Sequence, residues 1–208
     1  MSVQQAYNQW ALQYDTNRNK TRDTEAVALR ETLAGIDFHH CLEMGCGTGK
    51  NTEWLLAKAD TVTAVDLSEE MLGKAKSKIQ SDNVRFVQAD MLADWTFASG
   101  NYDLVTFSLV LEHIENVETV FKKAASVLET GGYMYMGELH PFKQYTGSKA
   151  RFDTEEGRTV VPCFTHHISD FTNAADKYGL QLMELKEYFE EGDKEIPRVL
   201  VLLFQKKG

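Results

Sequence analysis

The chain has 208 residues, of which 43% are hydrophobic and 25% charged, proportions typical of a single globular domain with a substantial core. Its formal net charge of −9 argues against a nucleic-acid substrate, because phosphate contacts need clustered lysine and arginine side chains. None of the three cysteines forms a C-x-x-C pair, and no window holds the ~18 apolar residues of a membrane span. A cytoplasmic protein is therefore expected.

The first predicted elements are two helices. Residues 3–15 carry aromatic and small apolar side chains at helical spacing, which predicts an amphipathic helix. A second helix is predicted over residues 23–34, with Asp23 or Thr24 as its cap and Gly35 at its end. The aromatic face of the first helix either packs on the body of the domain or covers a ligand as a flap, and periodicity alone leaves both interpretations open.

Strands and helices alternate regularly from residue 39 onward. Strands are predicted at 39–44, 61–65, 84–88, 102–107 and 133–139, with helices between them at 51–59, 69–79 and 117–128. This alternation is typical of parallel strands joined by right-handed helical crossovers. The sequence therefore predicts an α/β fold with a doubly wound, mostly parallel sheet.

The regular pattern stops at residues 140–167, which mix prolines and glycines with aromatic and basic side chains. A gap of this length inside a compact domain is usually functional or mobile. A helix is then predicted near Ser169–Tyr178, followed by strands at Leu180–Phe189 and Arg198–Gln205. No helix fits into the polar residues 190–197, so the two strands are expected to form an antiparallel hairpin that completes a seven-stranded sheet.

The segment from Cys41 to Lys50 holds a glycine-rich turn. A short apolar run contains Glu43 near its end, and Gly45, Gly47 and Gly49 follow at alternate positions, between a predicted strand and a predicted helix. Glycine can adopt a positive φ and lets a ligand approach the bare backbone. The position of the turn predicts a nucleotide-binding site.

Two ligands suit such a turn, a dinucleotide or S-adenosylmethionine (SAM). A dinucleotide fingerprint is G-x-G-x-x-G, whereas Lys50 occupies the sixth position here. SAM carries a sulfonium and an ammonium group in place of a pyrophosphate, so the carboxylate of Glu43 beside the turn favours SAM.

Two further acids follow the next two predicted strands. Asp66 ends the second strand, where a carboxylate can accept hydrogen bonds from both ribose hydroxyls, although NAD-binding proteins share this feature. Asp90 ends the third strand and can accept from the adenine amino group, with Met91 on the ring face. Because the carboxyl ends of parallel strands meet at one edge of the sheet, three such acids in succession favour SAM.

These segments resemble the class I SAM-dependent methyltransferases. The resemblance covers residues 39–139 and rests on Glu43–Gly49, Asp66–Ser68, Gln88–Met91, Tyr102–Val105 and Glu112–Ile114. The predicted C-terminal hairpin matches the reversed last strand pair of that family.

Within this family the chain is most similar to small-molecule enzymes of the ubiquinone and menaquinone biosynthesis type. Tyr7–Asp15 is similar to their N-terminal Y-D-x-x-A-x-x-Y-D element, with Asn8 in place of the first aspartate. By resemblance this helix folds over SAM, which favours the flap interpretation.

The resemblance implies a Rossmann-like methyltransferase fold and an enzyme of the EC 2.1.1 type that transfers the methyl group of SAM to a small-molecule acceptor by in-line displacement. A single domain, 1–208, is expected to comprise a helical flap (1–35), a SAM-binding core (36–139), an acceptor lid (140–167) and a C-terminal helix and hairpin (168–208). The expected SAM-binding residues are Tyr14, Glu43, Gly45, Cys46, Gly47, Gly49, Asp66, Leu67, Met71, Asp90, Met91 and Ser108.

Other functions stay open at this point. A non-catalytic SAM-binding module or the partner subunit of another methyltransferase has the same motifs, and an NAD-dependent oxidoreductase is opposed by Glu43 and Lys50. The chain is expected to act as a monomer or homodimer, without nucleic acid or a membrane span.

A general base is needed only if the acceptor must lose a proton. His140, directly after the fifth predicted strand, and His113, shortly after the fourth, are the candidates, although each could also be a hydrogen-bonded loop residue. No metal is expected, because adjacent histidines such as His39 and His40 lack the spacing of metal ligands on a helix face, and Ser108 with Leu109 cannot supply acidic ligands.

The segment 140–167 is the predicted acceptor site, because basic and aromatic residues are concentrated there in an acidic protein. Such a lid suits an acceptor that is partly planar or carries a carboxylate. A solvated surface segment is the alternative. The predicted acceptor-binding residues are Tyr7, Tyr145, Arg151 and His166.

Overall fold

The computed structural model describes residues 1–98, 100–154, 157–190, 192 and 195–208. Its helices are α1 (Val3–Trp10), α2 (Lys20–Leu33), α3 (Lys50–Leu56), α4 (Glu69–Lys78), α5 (Val117–Val127), α6 (Pro141–Tyr145) and α7 (Ile168–Lys177), with a 3₁₀ turn at Leu111–His113. Its strands are β1 (His40–Met44), β2 (Thr61–Asp66), β3 (Val84–Gln88), β4 (Tyr102–Ser108), β5 (Leu128–Leu139), β6 (Arg151–Thr154), β7 (Gly157–Val160), β8 (Leu180–Phe189) and β9 (Pro197–Lys206).

Seven strands form one sheet in the order β3-β2-β1-β4-β5-β9-β8. The first five are mutually parallel, and β9 runs antiparallel to both of its neighbours. The predicted doubly wound sheet with a C-terminal antiparallel hairpin is confirmed. Residues 191, 193 and 194 of the predicted hairpin connection lie outside the described residues.

Helices cover both faces of the sheet, and the side chains of β9 point alternately to the two faces. On one face Val199, Val201 and Leu203 pack with α2 and α3. On the other face Leu200, Leu202 and Phe204 pack with α5 and α7. Burial on both faces explains why this strand reads as a continuous apolar run.

The N-terminal helices differ from the sequence prediction. α1 ends at Trp10 instead of residue 15, and turns follow. α2 begins at Lys20, because the Asn19 side chain caps it by accepting a hydrogen bond from the Arg22 amide at 3.1 Å. The predicted cap, Asp23, lies in the first turn. α2 also packs into the core through Leu29 and Leu33, so within the predicted flap (1–35) only the residues before α2 lie outside this core helix.

The Gly131-Gly132 pair lies inside β5, which begins at Leu128, before the predicted strand start at residue 133. Gly131 has a φ of +83°, and the register between β4 and β5 shifts between the pairs Tyr102–Leu128 and Leu104–Tyr133. The two glycines therefore form an irregularity that lets β5 continue along β4.

The segment 140–167 contains short regular elements that its composition did not reveal. α6 follows β5 directly, and β6 pairs with β7 as a separate antiparallel hairpin whose residues 155 and 156 lie outside the described residues. Phe152 and Val161, from the two sides of this hairpin, are buried against Trp10 of α1. The lid and the flap therefore share one small apolar cluster. Within the described parts of the chain, no helix has the length and apolar character needed to cross a membrane.

Candidate active site

The glycine turn after β1 adopts a conformation that requires glycine. Gly45, Gly47 and Gly49 have φ values of +80°, +53° and +85°. A β-carbon at Gly45 would lie 2.7 Å from Cγ2 of Val110, and one at Gly49 would lie 2.8 Å from Cδ1 of Ile79. The turn is therefore packed tightly between the exit of β4 and the end of α4.

A first cavity of about 260 Å³ opens at the carboxyl ends of β1, β2 and β4, beneath α1. Its wall includes the glycine turn, the acids at the ends of two strands, and two flap tyrosines. The lining residues predicted from sequence are Tyr7, Tyr14, Gly45, Gly47, Asp66, Leu67, Asp90, Met91, Ser108 and His113. An acid-lined cavity at this edge suits a ligand that carries hydroxyl groups and positive charge.

Asp66 joins the glycine turn to α4. One carboxylate oxygen accepts a hydrogen bond from the Gly47 amide at 2.8 Å, and the other accepts from the Ser68 amide at 2.8 Å. Burial raises the pKa of Asp66, against the opposing effect of these amide donors. Each oxygen keeps lone-pair capacity for a ligand hydroxyl.

Glu43 lines a small cavity of about 50 Å³ beside the glycine turn, together with Cys46 and Glu25. Its carboxyl group accepts a hydrogen bond from the Thr52 hydroxyl at 2.5 Å. Burial raises the pKa of Glu43 to about 8. Without a nearby cation this group is therefore mostly protonated at neutral pH. Burial also raises the pKa of the Cys46 thiol well above its usual range, which leaves this residue no role as a thiolate.

A second cavity, of about 310 Å³, adjoins the first and is lined by flap, lid and sheet residues. The two cavities share a wall made by Tyr7, Tyr14 and Leu109. Leu109 has a φ of +54°, and no other non-glycine residue of the described chain has a positive φ. Strained backbone of this kind is concentrated at functional sites.

The Tyr7 hydroxyl lies 2.8 Å from Nε2 of His113, and Nδ1 of His113 lies 2.8 Å from the carbonyl oxygen of Pro162. A carbonyl only accepts, so Nδ1 carries the proton and Nε2 accepts from Tyr7. Burial lowers the pKa of His113, and removal of the hydroxyl from solvent raises the pKa of Tyr7. The pair is therefore neutral, with an unprotonated ring nitrogen directed at the shared wall.

Comparison with known proteins fits this geometry. A family model described as "Methyltransferase domain" matches residues 42–136. A ubiquinone biosynthesis O-methyltransferase from Xanthomonas euvesicatoria pv. vesicatoria is 30% identical over 173 residues, 77% of this chain and 69% of the relative. The chain belongs to the class I SAM-dependent methyltransferases. SAM is accordingly the cofactor of this methyltransferase.

Other relatives agree. A Coxiella burnetii ubiquinone biosynthesis O-methyltransferase is 27% identical over 158 residues, 70% of this chain and 65% of that protein. The chain thus spans about two thirds of the length of these two curated relatives. The DhpI–SAH complex superposes with a TM-score of 0.77 at 25% identity, over 99% of this chain and 96% of that chain.

Flap and core of the methyltransferase are joined by side-chain hydrogen bonds. Asn8 accepts from the Ser68 hydroxyl at 2.6 Å, and Asp15 accepts from the Thr48 hydroxyl at 2.6 Å. Asn8, which departs from the family pattern, therefore still has a function as an acceptor. Three residues of α1, Val3, Gln4 and Tyr7, line the first cavity.

His140 does not fit its predicted catalytic role. Its Nδ1 accepts from the Phe142 amide at 3.1 Å as the N-cap of α6, and its Nε2 pairs with Glu187 at 2.9 Å. Both ring nitrogens are therefore used to fix the start of α6. His113 is the histidine that lines the first cavity of the methyltransferase.

Two predicted acceptor-binding residues also lie elsewhere. His166 is buried, with Nε2 2.8 Å from the Ile114 carbonyl oxygen, and its ring packs on Phe171. Tyr145 is 55% exposed and its hydroxyl pairs with Nδ1 of His167 at 2.7 Å. Of the four predicted residues, Tyr7 and Arg151 line the second cavity.

Two predicted SAM contacts instead serve packing. Met71 is fully buried in the cluster that contains Trp10 and Phe152. Gly49 is the N-cap of α3 and packs on Ile79. Neither residue lines the described cavities of the methyltransferase.

Sequence reasoning missed several residues of the second cavity. Glu112 is buried, lines this cavity, and has its pKa raised to about 7 by burial. Arg198 arrives from β9 and Trp10 from α1. No local motif marks these residues, because they come from three segments that are distant in the sequence. The one sequence signal for this cavity was Glu112, which precedes His113 in the motif shared with the family.

Glu112, His113 and Cys163 place potential metal-ligand atoms within 4.8 Å of one another. Both ring nitrogens of His113 already have hydrogen-bond partners, and burial raises the pKa of the Cys163 thiol to about 12. A metal would have to displace Tyr7 or Pro162 and deprotonate this thiol. The expected absence of a metal stays a prediction.

Proposed function

We propose that this methyltransferase transfers the methyl group of SAM to a hydroxyl group of a small-molecule acceptor bound in the second cavity. The observation that carries the proposal is the shared wall of Tyr7, Tyr14 and Leu109 between an acid-lined cavity and a second cavity. Transfer across such a wall needs alignment of the two ligands and exclusion of water. The O-methyltransferase names of the curated relatives support a hydroxyl acceptor.

The residues of the first cavity suit SAM. Asp66 and Asp90 supply carboxylates for ribose and adenine, and Met91 lies beside them. Glu43 in the small adjoining cavity supplies a carboxyl group for the ammonium of the methionine moiety. When bound, SAM supplies an electrophilic methyl group.

NAD binding is disfavoured by the surroundings of the turn. Lys50, which replaces the third spaced glycine, pairs with Asp23 at 2.8 Å and therefore does not offer its charge to a pyrophosphate. Buried Glu43 next to the turn would repel one whenever ionised.

Tyr7 and His113 are proposed to remove the acceptor proton. The Tyr7 oxygen can take the proton of the acceptor's hydroxyl group while its own proton passes to Nε2 of His113. Pro162 holds the opposite ring nitrogen, which keeps Nε2 directed at Tyr7. Glu112 lines the second cavity and supplies a further carboxyl group there.

Residues 1–19 are proposed to act as the flap and residues 140–167 as the acceptor lid. Both segments supply walls of the second cavity, through Trp10 from the flap and Arg151 from the lid. Their common apolar cluster makes closure of one depend on the other.

Calorimetric titration with SAM and with NAD, followed by transfer of tritium from methyl-labelled SAM to a panel of hydroxylated small molecules, tests the proposal. We expect one SAM per chain, no measurable NAD binding, and label on at least one hydroxyl compound. Preferential NAD binding would refute the SAM assignment. SAM binding without transfer to the panel would favour the non-catalytic module.

A further inference from the structure

The second cavity concentrates positive charge on an acidic protein. Five cationic side chains line it, although the formal net charge of the chain is −9. They come from α2, from the segment 140–167 and from β9. The five are Lys20, Arg22, Lys149, Arg151 and Arg198. Such focusing of charge in a cleft attracts a ligand of opposite sign.

Three of these cations already have protein partners. Arg22 donates to the carbonyl oxygens of Tyr14 and Asn17. Lys20 and Arg198 both pair with Glu190. This carboxylate also pairs with Lys143, so it serves three cations, and positive charge remains in excess on this side of the cavity.

Lys149 and Arg151 are different. In the part of the chain that the structure describes, neither side chain forms a hydrogen bond or an ion pair. They lie two positions apart at the start of the lid hairpin, on the wall of the cavity. Both residues are exposed, and a guanidinium and an ammonium that line one cavity suit a carboxylate or phosphate group.

Two buried donors on the same wall also lack partners. Trp10 is 5% exposed, and its indole Nε1 has no hydrogen-bond partner among the described residues. The buried Nε of Arg198 likewise has none there. Buried polar groups in folded proteins are normally satisfied, so unpaired donors on two residues that line the cavity leave hydrogen bonds for a ligand that reaches them.

One carboxyl group shares the cavity with these cations. Glu112 lies on its wall, and its Oε2 is buried without a hydrogen-bond partner in the described structure. Because burial raises its pKa to about 7, this group is partly protonated at neutral pH and leaves most of the positive charge uncancelled.

We propose that the acceptor carries an oxyanion, a carboxylate or phosphate group, that binds to Lys149 and Arg151 and accepts hydrogen bonds from Nε1 of Trp10 and Nε of Arg198. The inference rests on the proposed function, since it names the chemical class of the acceptor for the same site. The anion anchors the acceptor, and its hydroxyl group faces the wall shared with the first cavity.

The test uses the full chain loaded with S-adenosylhomocysteine. Fluorine NMR measures the affinities of 4-fluorobenzoate and its neutral counterpart 4-fluorobenzamide, and phosphorus NMR measures that of inorganic phosphate. At least one anion should bind about tenfold more tightly than the amide. Whether fluorobenzoate or phosphate binds better distinguishes a carboxylate from a phosphate acceptor.

Variants locate the binding. The double variant Lys149→Gln, Arg151→Gln should lose the anion preference, and Trp10→Phe should weaken anion binding while the amide is unaffected. The matched control, Lys76→Gln with Lys122→Gln, removes the same charge outside the described cavities and should bind anions like the wild type.

Equal affinities for anion and amide, or unchanged anion binding in the Lys149 and Arg151 double variant, would overturn the inference. Affinity for S-adenosylhomocysteine, measured on every variant, reports that the first cavity is intact. Failure of the proposed function gives a different result from failure of the anion site, because the wild-type protein would then not bind S-adenosylhomocysteine at all.

Discussion

The Tyr7 hydroxyl donates a hydrogen bond of 2.8 Å to Nε2 of His113, a residue 106 positions away in the sequence. One partner lies on the flap helix and the other in the 3₁₀ turn after β4. Their rings also meet edge to face, with centroids 5.3 Å apart. This contact joins α1 to the turn after β4, while the Pro162 carbonyl at Nδ1 leaves Nε2 as the unprotonated nitrogen of His113.

Removal of the Tyr7 hydroxyl tests its part in proton transfer. Tyr7→Phe leaves Nε2 of His113 without its donor and breaks the path to the acceptor, so we expect the transfer rate to fall by about 10². Affinity for SAM should change far less. Single-turnover assays separate the two quantities. Tyr145→Phe, on an exposed lid tyrosine, is the matched control, and equal rates in both variants would exclude Tyr7 from the chemistry.

SAM binding should release a proton from Glu43. Burial holds the pKa of this carboxyl at about 8, and a bound ammonium beside it would lower that pKa below neutral. Titrations at pH 7 in buffers of different ionisation enthalpy should therefore report about one proton per SAM. Glu43→Gln should abolish the buffer dependence, whereas Glu115→Gln, at an exposed acid, should keep it. Identical heats in all buffers for the wild type would place the ammonium elsewhere.

A methyl group at Gly45 should damage both the fold and the SAM site. With a φ of +80° and Cγ2 of Val110 only 2.7 Å away, Gly45→Ala should lower the free energy of unfolding by about 1–3 kcal/mol. Urea denaturation measures this. Gly35→Ala is the control, because its β-carbon would meet nothing within 4 Å, and it should be neutral or slightly stabilising. Equal behaviour of the two variants would contradict the strain at the turn.

Stability should fall as the pH rises from 7 to 8.5. Burial raises the pKa of both Glu43 and Glu138 to about 8, so in this window the folded state holds protons that the unfolded state has lost. Each group therefore gives a negative slope of up to about 1.4 kcal/mol per pH unit. Buried His113, whose pKa is lowered, has the opposite effect only near and below its ordinary pKa, 6.5.

Urea denaturation across this pH range measures the slope. The double variant Glu43→Gln, Glu138→Gln should reduce the slope and leave the part near pH 7 that comes from Glu112, whose pKa burial raises to about 7. A glutamine at position 138 can still accept from the amides of Val110 and Leu111, as Glu138 does. Glu115→Gln should leave the slope unchanged. A wild-type stability that rises through this window would refute the assignment.

The sheet was predictable because its signals are local. Strands rich in β-branched and aromatic residues alternate with helices along the chain, and Ser68 caps α4 as its side chain and position indicate. The lid hairpin was missed because its strands are short and its buried residues, such as Phe152, pack against the flap instead of the sheet. Its stability comes from tertiary contacts, which the periodicity of apolar residues in the sequence does not indicate.

The candidate site divides in the same way. The first cavity follows strand ends, so Asp66 and Asp90 could be placed from the sequence alone. The second cavity is lined by residues of α1, the segment 140–167 and β9, and no sequence motif at Trp10 or Arg198 indicates that these elements are adjacent. His140 was predicted as a base from its position after a strand, but position in the sequence does not show that both of its ring nitrogens form hydrogen bonds within the protein.

Tyr7 and Tyr14 of the flap line both cavities. With residues 1–19 as the proposed flap, a movement that lets S-adenosylhomocysteine leave would also remove these two tyrosines from the acceptor site. The proposed flap therefore links cofactor exchange to acceptor exchange, and its opening would set an upper limit on the turnover number.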